Sequence, residues 1–70
     1  MIVLEEPIDR DSLRLRNEFL EMPGLAVTVP QTARLFGIRT DRAVEMLERL
    51  EREGFLMRDV HGAFRRRPRG

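Results

Sequence analysis

The sequence contains no cysteine, no lysine and no tyrosine, and its one histidine is His61. Without cysteine, no disulfide and no thiolate metal site can reinforce the fold. One histidine provides neither a histidine pair for a metal nor a Cys/His nucleophile arrangement. Ser12 has no base close to it in sequence, and no acidic spacing matches a DxDxDG-type calcium loop. Phosphate loops and dinucleotide fingerprints are also missing. Gly24, Gly37, Gly54 and Gly62 each fall where a helix stop or a turn is required. These absences argue against an enzyme and predict no cofactor, no metal and no small-molecule ligand. No apolar run approaches the roughly 18 residues of a membrane span. The opening MIVL ends at Glu5, Glu6 and Pro7, short of a secretory apolar region. A soluble, cytoplasmic protein is the expectation.

Seventy residues make one small domain. A chain of this length buries only about 60% of the surface that its unfolded form exposes. Stability must therefore come from tight helix packing or from a second copy of the chain, and a homodimer is expected. Net charge is +1, but its distribution is uneven: residues 1–22 carry −3, residues 23–54 carry 0 and residues 55–70 carry +4. All 13 basic residues are arginine, which suits bidentate contacts to phosphate and carboxylate.

Along the chain, residues 1–8 (MIVLEEPI) have no helical period. Two readings stay open for them: a frayed terminus, or an arm whose Ile2, Val3 and Leu4 cover a partner's apolar surface. Residues 11–22 read as a helix capped by Asp9, Asp11 or Ser12. Leu15, Phe19 and Met22 recur at i, i+4, i+7, with Leu13 and Leu20 widening the stripe. Pro23-Gly24 stops it, and residues 25–29 (LAVTV) are β-prone. Residues 30–37 form a two-turn helix with Pro30 in its first turn, Ala33 permitting close approach, and Leu35 and Phe36 as anchors. Gly37 permits the turn, and Ile38 enters the core behind it. Residues 40–53 form the longest helix, capped by Thr40 and stopped by Gly54. Its buried face is Ala43, Met46, Leu47 and Leu50. Residues 55–59 and 63–67 are short strands of a hairpin turning through Val60-His61-Gly62, with Phe55, Leu56 and Phe64 packing on the helices. The expected class is mainly α with a small β-hairpin, an α+β arrangement. The domain spans 9–67, preceded by the arm 1–8 and followed by a loose tail 68–70.

Ala33, Gly37-Ile38, Leu47, Leu50 and Gly54-Phe55-Leu56 together carry a resemblance. Residues 11–67 resemble the winged helix-turn-helix DNA-binding domains of bacterial transcription regulators. The phrase EFLEMPGL…TVPQTARLFGI looks like small stand-alone bacterial proteins of that type. The resemblance implies three helices and a two- or three-stranded wing. It also implies that Arg39, Thr40, Asp41, Arg42, Val44, Glu45 and Glu48, on and just before the second motif helix, meet the major groove. Two departures stand out. Arg39 occupies the place of a serine or aspartate cap, and Glu45 that of a basic or neutral polar residue.

Charge argues in both directions. With Ala43, Met46, Leu47 and Leu50 inward, the outer face of helix 40–53 carries Asp41, Glu45, Glu48 and Arg52, and nucleic-acid affinity depends largely on cations. The i, i+4 pairs Glu45–Arg49 and Glu48–Arg52 offset about 0.2–0.5 kcal/mol each. Against this stand Arg58, Arg65, Arg66, Arg67 and Arg69 on and after the wing, with His61 near its tip. Arg34, Arg39 and Arg42 flank the motif turn. The nucleic-acid-binding set is thus Arg34, Arg39, Thr40, Arg42, Val44, Arg58, His61, Arg65, Arg66 and Arg67, with double-stranded DNA as the partner. The alternative is a protein-interaction module docking a partner on Asp41, Glu45 and Glu48. RNA is a weaker option, because the strands offer no aromatic stacking platform.

Overall fold

The computed structural model describes residues 10–68; the arm 1–8, the candidate cap Asp9 and residues 69–70 of the tail lie outside the described residues. Six elements follow in order: α1 (Arg10–Glu21), β1 (Ala26–Val27), α2 (Val29–Phe36), α3 (Thr40–Arg52), β2 (Leu56–Arg58) and β3 (Phe64–Arg66). The protein is mainly helical with a small open antiparallel sheet, an α+β arrangement. The sheet order is β1-β3-β2, so the last strand lies between the other two. Ala26 and Val27 pair with Arg65 and Phe64; Leu56, Met57 and Arg58 pair with Arg66, Arg65 and Phe64. None of the helices described is long and apolar enough to cross a membrane.

The core is the meeting point of one stripe from each layer. Leu15 and Phe19 of α1, Met46, Leu47 and Leu50 of α3, and Val27, Leu56 and Phe64 of the sheet form one buried cluster. Leu25, Val29, Phe36, Ile38 and Phe55 pack around it. Phe19 meets Phe55 edge to face, with centroids 6.3 Å apart and planes at 86°, a favoured aromatic geometry.

α2 starts through a capping box that the sequence displays as Thr28-x-x-Gln31. The Thr28 hydroxyl accepts from the Gln31 N–H at 3.3 Å, and the Gln31 side chain accepts from the Thr28 N–H at 2.9 Å. Two otherwise orphaned N–H groups are thereby satisfied. Pro30 sits in the first turn, as expected. At the other end Gly37 takes φ +63°, the Ile38 N–H donates to the Ala33 carbonyl and the Gly37 N–H to that of Arg34. The end of α3 repeats this pairing. Gly54 has φ +83°, Phe55 N–H donates to Leu50 and Gly54 N–H to Glu51. Both are Schellman ends, so each helix stops on a glycine and turns an apolar residue, Ile38 or Phe55, back toward the core.

Four expectations need correction. Asp11 and Ser12 do not cap α1, because the helix begins at Arg10 and both lie inside it. Thr40 does not cap α3: it is the first helical residue, and Arg39 is the cap, with no side-chain cap bond. Leu35 is no anchor, being 60% exposed. At 100° per residue the buried stripe of α2 runs through Val29, Thr32, Ala33 and Phe36, and Leu35 falls outside it. Thr32 takes the buried place instead, with its hydroxyl donating to the Thr28 carbonyl at 2.9 Å. Met22, Leu13 and Leu20 do not extend the α1 core. Met22 lies just past the last helical residue and is 46% exposed, and the two leucines lie well off the Leu15–Phe19 stripe, 48% and 46% exposed.

Candidate nucleic-acid interface

The hairpin is shaped by its first turn residue. Asp59 Oδ1 accepts from the N–H groups of His61 at 2.9 Å and Ala63 at 3.0 Å. Gly62 N–H donates to the Asp59 carbonyl, Asp59 N–H donates to that of Ala63, and Gly62 takes φ +80°. A turn of this kind, closed by a left-handed glycine, joins two strands without splaying them. The Ala63 N–H, first, holds the Asp59 carboxyl below its ordinary value; desolvation, the next largest effect, opposes it, and the His61 N–H and the nearby Arg65 add to the lowering. Val60 at the tip is 94% exposed, and His61 beside it is exposed as well.

The five arginines on and after the hairpin do not act alike. Arg58 is drawn back over the body of the protein. Its Nη2 lies 3.0 Å from Glu48 Oε2, its Nε 3.4 Å from Glu51 Oε1, and its guanidinium 4.7 Å from the centroid of the Phe64 ring. Arg66 is half-buried, with its guanidinium 5.1 Å from the Phe55 centroid and its Nε buried without a hydrogen-bond partner. Both sit on the core side of the strands and roof aromatic rings. Arg65 alternates to the other side of β3, between Met57 and Ala26, and is exposed. Arg67 follows the strand, exposed, with its N–H donating to the Phe55 carbonyl. Neither Arg65 nor Arg67 has an ion pair among the described residues, and Arg69 lies outside them.

On α3 the carboxylates are matched by arginines. Arg39 Nε lies 3.2 Å from Asp41 Oδ1, which also accepts from the Arg42 N–H at 2.9 Å. Arg42 lies 3.9 Å from Glu45. Glu48 goes to Arg58 across the hairpin rather than to Arg52 one turn on, and Arg49 lies 3.6 Å from Glu53. Asp41 and Glu45 keep side chains 72% exposed, so their pairs are weak and solvated. Thr40 is exposed at the start of the helix, Val44 is half-buried, and Arg34 is exposed in the last turn of α2.

The expected set therefore divides. Arg34, Arg39, Thr40, His61, Arg65 and Arg67 are exposed, Arg42 and Val44 are half-buried, Arg58 is exposed but ion-paired to Glu48 and Glu51, and Arg66 is half-buried against Phe55. Sequence reasoning missed Asp59, read as the last residue of a strand, although an acid three residues before a glycine is a turn signal. It also missed the Arg58–Glu48–Glu51 cluster, which joins residues 7 and 10 positions apart across a turn and has no local pattern. Among the described residues no three His, Cys, Asp or Glu side chains gather as a metal ligand set. In comparisons with known proteins the chain matches no family model, no curated protein and no solved structure.

Proposed function

We propose that this protein is a small winged-helix DNA-binding protein, a transcriptional regulator or accessory factor that contacts duplex DNA through α3 and the basic hairpin. The fold reading draws support from the order α1-β1-α2-α3-β2-β3 and from strand order β1-β3-β2. The Gly37-Ile38-Arg39 turn between α2 and α3 adds to it. One observation carries the functional reading. The acids that spoke against DNA each lie within ion-pair distance of an arginine, whereas Arg65 and Arg67 have no carboxylate within that distance among the described residues. Phosphate contact would come from Arg65, Arg67 and Arg34 and base reading from Thr40 and Val44; Arg39 and Arg42 would join them by exchanging their weak, solvated pairs with Asp41 and Glu45 for DNA. The protein-docking alternative on Asp41, Glu45 and Glu48 is weakened because Glu48 is held by Arg58.

Fluorescence polarisation with a labelled duplex, titrated between about 50 and 200 mM salt, tests the reading. Replacing Arg65 and Arg67 together by alanine is expected to weaken binding to all sequences alike. It should also reduce the slope of log affinity against log salt by about two, roughly one per lost phosphate contact. Absence of binding by the native protein at the lowest salt would refute it.

A further inference from the structure

The described outer face of α1 carries nothing of the core, yet it is not a plain solvated surface. Leu13 and Leu20 lie seven residues apart at almost the same azimuth and are about half exposed. Beside them, on the same exposed side, run Arg10, Asn17 and Glu21. Two of the charges on this helix are placed against its own dipole: Arg10 opens it and Glu21 closes it with no basic residue in the last turn, while Asp11 in the first turn is placed with the dipole. A helix in isolation favours the opposite arrangement, acids first and bases last.

An antiparallel copy of the same helix reverses that penalty. We infer that α1 is a self-association surface on which two copies pair antiparallel about a two-fold axis near Asn17. In that arrangement Leu13 of one copy meets Leu20 of the other, and Arg10 of one reaches Glu21 of the other, each contact occurring twice. Neither Arg10 nor Glu21 has an ion-pair partner among the described residues, so both charges are available. The apolar stripe is short, which makes this a concentration-dependent dimer at the small end of specific interfaces. It does not depend on the DNA-binding reading, because no α1 residue is among the proposed DNA contacts, although Leu20 borders a surface depression that Arg67 also lines.

Charge exchange tests both the partner and the orientation. By sedimentation equilibrium, the native protein's average mass is expected to climb from 8.2 kDa toward twice that value as concentration rises. Arg10→Glu alone, or Glu21→Arg alone, places like charges opposite each other in both symmetry-related contacts and should weaken association by about tenfold. Mixed in equal amounts, the two variants become complementary, since one carries two acids and the other two arginines at these positions, and association should return. Such rescue requires both variants to be folded, so a misfolded variant cannot imitate it; circular dichroism of each confirms helix content. The inference is overturned if the native protein stays monomeric up to about 1 mM. It is equally overturned if the mixture associates no better than its components, or if removing residues 1–8 abolishes association that the charge variants leave intact.

Discussion

Gly24 and Gly54 each follow a helix, but only one of them needs to be glycine. Gly54 holds φ +83°, while Gly24 is outside the positive-φ set, and a methyl group added at either position would meet no atom within 4 Å. Side-chain space is therefore not at issue, and the backbone alone decides the outcome. Gly54→Ala forces an L-residue into the left-handed region and is expected to cost about 1–2 kcal/mol. Gly24→Ala removes freedom from the unfolded chain without strain and is expected to be neutral or to stabilise by up to about 1 kcal/mol. Urea denaturation midpoints of the two variants check this; a loss of stability of similar size in both would contradict the backbone argument.

At the scale of elements, periodicity revealed the helices and contacts distant in sequence did not. The stripe of α3 was readable because it repeats every three to four residues, that of α1 only at Leu15 and Phe19, and the glycine stops because positive φ has a residue signature. Leu35 was misjudged because two turns are too short for a stripe to define its own centre. The same limit hid the split among the hairpin arginines, since alternation along a three-residue strand is set by register and not by composition. The hairpin has a further property that follows from Asp59. Its carboxyl is held below its ordinary value by two N–H donors, so the charged form favours the folded turn. The contribution is fully present above the unfolded-state value and is lost as pH falls through the lower, folded one. Amide chemical shifts of His61 and Ala63 should thus move with a midpoint below that of a free aspartate. Asp59→Asn keeps an oxygen acceptor, so the turn should persist at neutral pH while this acid transition disappears.

Considered whole, the molecule has little stability to spare. One cluster of eight buried residues serves three helices and three strands, and no cross-link supplements it. Domains in general are stable by about 5–15 kcal/mol, and a chain this small belongs at the lower end. Phe19 is fully buried, is among the largest core side chains, and touches Phe55 at the start of the hairpin segment. Phe19→Ala removes an aromatic ring at a cost of about 3–5 kcal/mol, comparable to the whole. Leu20, the next residue along, is half exposed and outside the cluster, so Leu20→Ala should change stability by no more than about 0.5 kcal/mol in the dilute monomer. Thermal melts followed by far-ultraviolet circular dichroism separate the two. Phe19→Ala is expected to be largely unfolded at 25 °C and Leu20→Ala to melt like the native protein. If Phe19→Ala retained a cooperative native-like transition, α1 would have to be peripheral to the fold, and a self-association surface on its outer face would no longer rest on a fixed support.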